Sequence, residues 1–331
     1  MLSLFNKGGE GIKELRNFIP HLDPDERFGK LEPYLERESE KLQQLVGNPM
    51  YQRLLSHYLS QDYKVDEQAN EDFQKLDYAV RLSQDVTAIN SYLEFAPTND
   101  VIHSKNGRRE HWDDHSKPAT QQKILKQEAA QRKQAYLSLN ALLAYLESER
   151  DLFEEWKDSA QRKKQRTLFI QDFTQWAEVH PLGNDPLLYA RCYAFFRRYQ
   201  DRTLKIQLGD YYAEIESYLL SGGELLPAKL EMLEHARTAQ GLTVLIRAIN
   251  ELPISLLPGN IVEQYSSERL TIKGSVPATK GTKSSVVIEL QETLRSAEMM
   301  LNELIQKTRF DLEGIEREEE EDYRDDKFYR F

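Results

Sequence analysis

The sequence predicts an all-α protein made of two similar helical-bundle domains in tandem, each with a small β-hairpin insert. Three observations predict it. Apolar residues recur at three- and four-residue steps through most of the chain, the period of an amphipathic helix. Asp23-Pro24, Leu42, Gly47 and Leu139-Asn140 recur as Asp185-Pro186, Leu204, Gly209 and Leu301-Asn302, every pair 162 residues apart. Self-similarity at one fixed offset is the mark of a duplicated unit. Two turn-rich stretches, near 97–118 and 253–283, interrupt the helical pattern at matching places in the two halves.

The first half reads as follows. Residues 1–9 form a flexible arm with an apolar tip (Leu2, Leu4, Phe5), and a short helix covers Ile12–Phe18. Asp23 suits an N-cap, Pro24 the first helical position, and Glu26 the third position of a capping box. Phe28, Leu31, Leu35, Leu42 and Leu45 then share one face, and Gly47 ends the helix. A further helix covers Met50–Leu59, and Asp62–Ala69 is a polar loop. A long helix runs over Asp72–Phe95 with Phe73, Leu76, Ala79 and Val80 on one side. Within the insert, Asn106-Gly107 is a strong hairpin signal, because both residues tolerate positive φ. Centred there, the hairpin pairs Val101 and Ile102 with Trp112 and His111. A helix over Ala119–Leu146 follows, with Leu125, Tyr136, Leu139, Leu142, Leu143 and Leu146 as its apolar positions; Leu152, Phe153 and Trp156 close the half.

The second half repeats the plan: helices over Leu168–Ala177, Pro186–Leu208, Tyr211–Leu220, Ala228–Leu252 and Ser284–Lys307. Its insert places the strand-like runs Ile261–Ser267 and Arg269–Val276 about a turn near Ser267-Glu268. Pro118-Ala119-Thr120 recurs as Pro277-Ala278-Thr279 before the last helix. The expected domains are 1–160 and 161–310, followed by an acidic, aromatic tail at 311–331.

Composition narrows the function. Apolar residues make up 40% and charged residues 30%, which fits a folded helical protein rather than a disordered one. No apolar run reaches the ~18 residues of a membrane span, and MLSLFNKGGEG has neither the apolar core nor the cleavage pattern of a secretory signal. The single cysteine, Cys192, excludes an internal disulfide and reads as a packed thiol. A net charge of −11 disfavours a surface that grips nucleic-acid phosphates. The basic cluster Arg162, Lys163, Lys164 and Arg166 reads as a solvated linker between the halves.

Three groups of residues are candidates for chemistry. His103, His111 and His115 with Asp113 and Asp114 carry metal-ligand residue types, but Asn106-Gly107 and Pro118 argue against the helix that would align His111 and His115. Gly274–Ser285 follows a strand-like run and opens a helix, yet Lys283 does not stand where a phosphate-binding loop needs it. It reads as a polar turn that caps a helix. No serine or cysteine sits in a nucleophile setting. The expectation is a protein without catalytic residues, cofactor or metal.

Several motifs carry a family resemblance. Leu4-Phe5-Asn6-Lys7, Glu14–Pro20, the Leu42-x-x-Leu45-x-Gly47 ending with Tyr51, and Ala248–Pro253 resemble a duplicated, all-helical family of unknown activity from phages and prophages of the Bacteroides group. The resemblance covers about residues 4–307. It implies a head-to-tail connector or adaptor: a structural virion protein at the neck, assembled in the host cytoplasm as a ring beneath the portal. The implied partners are copies of itself, portal and tail proteins, and DNA only as a passing strand; no membrane is involved. A tail-completion protein and a non-virion helical scaffold are the alternatives. The residues expected to meet partners are Tyr323, Phe328, Tyr329 and Phe331 of the tail, Asn106 and Gly107 of the first hairpin, and Tyr265, Leu270 and Ile272 of the second.

Overall fold

A computed structural model describes residues 3–65, 70–99, 101–104, 107–110, 120–182, 187–251, 262–266, 273–277 and 280–313. The fold is helical. In chain order come α1 (Gly11–Arg16), α2 (Phe28–Val46), α3 (Asn48–Leu59), α4 (Glu71–Asn99), β1 (Val101–Ser104), β2 (Gly107–Glu110), α5 (Gln121–Ser148), α6 (Glu154–Lys157) and α7 (Ala160–Arg166). Then follow α8 (Phe173–Val179), α9 (Leu187–Tyr199), a π-helical turn (Gln200–Leu204), α10 (Lys205–Leu208), α11 (Asp210–Ser221), α12 (Pro227–Glu251), β3 (Val262–Ser266), β4 (Lys273–Pro277) and α13 (Lys280–Glu313). The chain divides into two compact units. The first holds Met1–Thr167 and Asn184–Arg191; the second holds Leu168–Gly183 and the chain from Cys192 onward.

The start of α2 differs from the sequence expectation. The Asp23 carboxylate accepts from Asp25 N at 2.9 Å, and the Asp23 carbonyl from Glu26 N at 3.2 Å. These bonds close a separate turn, so the side chain that could cap a helix closes a local loop instead. The helix begins at Phe28, after an Arg27 in extended conformation. Leu31, Leu35, Leu42 and Val46 are buried, whereas Leu45 is 39% exposed, because the step from Leu42 to the core is four residues rather than three. Gly47 has φ +91° and ψ 144°, and α3 starts at the next residue. It is a corner between two helices rather than a left-handed stop.

The N-terminus is also not a free arm. Leu4 and Phe5 are buried. Gln84 Nε2 donates to the Leu4 carbonyl, and Lys7 N donates to the Tyr58 hydroxyl at 2.7 Å. That hydroxyl donates in turn to Glu14 at 2.8 Å. The first unit packs around two apolar groups: Leu15, Ile19, Leu31, Leu35 and Phe95 in one, Tyr51, Leu54, Tyr58, Leu142, Phe153 and Trp156 in the other.

α4 reaches Asn99 and takes Pro97 into its last turn. β1 and β2 pair antiparallel with Val101 opposite Glu110 and Ile102 opposite Arg109, not Trp112 and His111. The register differs by two residues, which keeps every side chain on its own face, so alternation could not tell the two apart. β3 and β4 pair antiparallel with Val262 opposite Pro277. β4 is described from Lys273, and the expected start at Arg269 lies outside the described residues. α13 starts at Lys280, so the stretch read as a polar turn before a helix is strand up to Pro277 and helix from Lys280. In α5, Tyr136, Leu142 and Leu146 are buried but Leu125 is 57% exposed. The basic cluster is helix α7 inside the first unit, not a linker, and Arg162 is buried.

The second unit has its core in Phe169, Leu204, Leu208, Tyr212, Ile215, Met232, Leu233 and Leu301. Leu168–Ile170 is buried without being helical; α8 starts only at Phe173, where Asp172 caps it through Gln175 N at 2.9 Å. The π turn has a simple cause. From Cys192 the buried residues fall at 192, 196, 200, 204 and 208, four apart throughout. In a regular α-helix, at about 100° per residue, that stripe would sweep through about 160°. An unwound turn, with Lys205 N bonded to the Gln200 carbonyl, holds it on the core side. α2 buries 31, 35, 38, 39, 42 and 46, where one step of three, from 35 to 38 or from 39 to 42, cancels the drift, so it stays α-helical. Cys192 is fully buried, as expected of a packed thiol.

Candidate functional site

One opening of the first unit lies between the loop after α1, the middle of α4 and the first half of α5. It measures about 840 Å³. Ile19 and Ile89 form a buried apolar floor, with Phe18 and Leu82 half-buried beside them. His21, Lys64, Arg81, Asp85, Gln131 and Gln134 supply the polar rim. Gln131 Nε2 donates to His21 Nε2 at 3.0 Å, which needs a neutral imidazole, and burial holds the His21 pKa below its ordinary 6.5. Ser138 donates to Asp85 Oδ2 at 2.5 Å. His21 and Gln131 are thus engaged with one another, and Asp85 with Ser138.

The wall made by α5 is unusual. Between Lys123 and Gln134 the helix buries no residue, and it exposes Ile124 and Leu125. Its composition explains how it stays helical: Lys, Gln, Glu, Ala and Arg dominate, and Glu128 pairs with Arg132 at 3.3 Å. Only from Ala135 onward does α5 enter the core.

The second unit has a smaller opening of about 440 Å³, lined by Arg198, Tyr199, Arg202, Thr203, Thr243, Ile246, Arg247, Asn250 and Glu251. Arg247 pairs with Glu251 at 3.2 Å. Arg198 and Arg202 are exposed and make no ion pair among the described residues. Beneath them lies a buried amide network. Gln200 Oε1 accepts from Phe169 N at 2.9 Å, and Gln200 Nε2 donates to the Tyr212 hydroxyl at 3.0 Å. Gln240 Nε2 donates to the Phe196 carbonyl at 3.1 Å and to Gln200 Oε1 at 3.2 Å.

The residues expected to meet partners are placed only in part. Gly107 is the first residue of β2, and Tyr265 lies in β3 opposite Gly274. Asn106, Leu270, Ile272, Tyr323, Phe328, Tyr329 and Phe331 lie outside the described residues. His103 lies in β1 opposite Arg108, while His111, Asp113, Asp114 and His115 lie outside them. Among the described residues no three His, Cys, Asp or Glu side chains gather as metal ligands, and no helix is long and apolar enough to cross a membrane. The linings of the two openings were not singled out from sequence, because their residues come from elements far apart in the chain. A weak local signal existed in Arg198 and Arg202, four residues apart on one helical face.

Residues 42–166 are similar to a family of unknown function, DUF6712. The match runs from the second half of α2 through α7 and so covers most of the first unit, including the hollow wall of α5. It stops well short of half the chain and says nothing of source or activity. No curated protein matches the chain, and no solved structure does.

Proposed function

We propose that the protein is an assembly subunit of a phage-type particle, a head-to-tail connector or adaptor that acts by contact with copies of itself and with portal and tail proteins at the neck. The observation that carries the reading is the first half of α5. A helix that buries nothing over Lys123–Gln134, exposes Ile124 and Leu125, and overlies a cavity with an apolar floor is half of an interface. Most helical stability in proteins comes from packing one apolar face, and here a neighbouring copy is proposed to supply that packing. The pairs β1–β2 and β3–β4 add a second means of contact. Among the described residues each is a two-stranded sheet, whose outer edges can take another strand. The net charge of −11 suits a ring through which DNA passes without sticking.

We infer also that the two units are copies of one ancestral unit, each with its hairpin insert. The order helix, helix, long helix, two paired strands, long helix occurs twice along the chain. It accompanies the identities that recur at a 162-residue offset.

The test is mass photometry with negative-stain imaging on the full chain, alone and mixed with the portal protein encoded at the same locus. The expected outcome is a closed ring of copies, promoted by portal. The double variant Ile124→Glu, Leu125→Glu should fold normally and fail to form it. A wild-type protein that stays monomeric with and without portal would remove the connector reading and leave the scaffold alternative.

A further inference from the structure

We propose that the arginine-lined opening of the second unit binds an acidic peptide, and that its occupant is the C-terminal tail of the same chain. The inference does not depend on the assembly reading. The opening is defined by Arg198 and Arg202 on one side and Arg247 on α12 on the other, with Tyr199 and Ile246 between them. Arg198 and Arg202 stand exposed with no carboxylate partner among the described residues. They belong to a basic segment of the acidic chain: residues 187–205 hold five bases and one acid. Guanidinium groups bind carboxylates through paired, charge-assisted hydrogen bonds, so unpartnered arginines in a concavity select an acidic chain.

The sequence supplies one. Residues 314–331 contain eight acids and four bases, and Glu318–Asp322 is an unbroken acidic run followed by Tyr323. A nucleic-acid strand is the weaker candidate, since a net charge of −11 disfavours phosphate binding by the chain as a whole.

Reach favours the chain's own tail. Glu298 of α13 accepts from the Tyr199 hydroxyl at 3.2 Å, which fixes the level of the opening along α13. Glu313 lies fifteen residues further on, about 22 Å at helical rise. An extended chain returning from Glu313 covers that distance in about seven residues. The residues it would bring to the opening are Glu318–Asp322. Tethering at this length also gives an effective concentration far above that of a second molecule at ordinary protein concentrations.

The test uses the full chain carrying Thr203→Cys at the rim of the opening and Tyr323→Cys in the tail. Under mild oxidation the expected product is a disulfide within one chain, seen as a monomer of altered mobility on non-reducing gels. Its rate should fall several-fold in 0.5 M salt and when Arg198→Glu and Arg202→Glu are added. It should recover when those changes are combined with Glu318→Lys, Glu319→Lys, Glu320→Lys and Glu321→Lys. All the altered arginine and cavity positions are surface positions, so the fold is kept. An unchanged rate in the arginine variant, no recovery in the charge swap, or disulfides formed between chains would each overturn the proposal.

Discussion

At the scale of single residues, the strongest commitments are buried polar groups whose partners are fixed. Arg162 Nε and Nη2 each donate to a Glu147 carboxylate oxygen at 2.8 Å, with both side chains largely out of solvent. Burial works against the Glu147 charge, but the hydrogen bonds from Arg162 and the nearby Arg166 outweigh it and hold the carboxyl below its ordinary 4.5. A lowered folded-state pKa gives stability that is present above 4.5 and lost as pH falls through the folded value. Glu147→Gln leaves the guanidinium uncompensated and should cost about 3 kcal/mol near neutral pH. Urea unfolding at pH 7 and at pH 3 should show the gap to wild type narrowing in acid. Gln200→Leu should cost about 2 kcal/mol, since Phe169 N–H and the Tyr212 hydroxyl lose a buried partner. Gln200→Glu should be worse at neutral pH, because a carboxylate would be buried where an amide both donates and accepts. Neither residue is legible in the sequence: Glu147 and Gln200 are polar residues within helical runs, and only their tertiary partners distinguish them.

Among elements, close approach and open flank give opposite predictions. Gly241 is where α12 meets α8: a Cβ there would stand 3.0 Å from Val179 Cγ1 and 3.1 Å from Trp176 Cδ1. Trp176 Nε1 donates to the Gly241 carbonyl at 3.0 Å, so the indole cannot withdraw without losing its bond. Gly241→Ala should destabilise by about 1–3 kcal/mol despite the better helix propensity of alanine, as measured by denaturant unfolding. In α5 the balance reverses. Amide exchange over 123–134 should be faster than over 135–146 in the isolated subunit, because only the second stretch is locked by core contacts. Equal protection along the whole helix would remove the case for an open flank. The helices themselves were legible from apolar spacing, and most were placed within a few residues. Their starts were less so: the Asp23 turn and the buried, non-helical Leu168–Ile170 both obey local or tertiary bonds that spacing does not encode.

For the molecule as a whole, the division into units does not follow the chain cleanly. α9 gives Leu187–Arg191 to the first unit and Cys192–Tyr199 to the second. A boundary at 160 would fall at the first residue of α7, whereas the compact units divide after Thr167. What placed the α7 residues in the first unit was the contact between Arg162 and Glu147, fifteen positions apart and invisible to composition.

The π turn has a consequence for how the length of this protein can vary. Downstream of it the core positions of the two halves agree at one offset: Leu204 stands to Leu42, and Leu208 to Val46, as 162. Upstream, Phe196 stands to Leu35 and Cys192 to Leu31 as 161. The turn therefore absorbs one surplus residue. Deleting exposed Asp201 would give steps of four, four, three and four between core residues, which an ordinary α-helix carries on one face. That deletion should be tolerated, while a deletion at Arg191 or Lys205 should not, and a single-codon deletion scan across 187–208 read out by soluble expression would show a lone permissive window at 201–203, between buried Gln200 and Leu204.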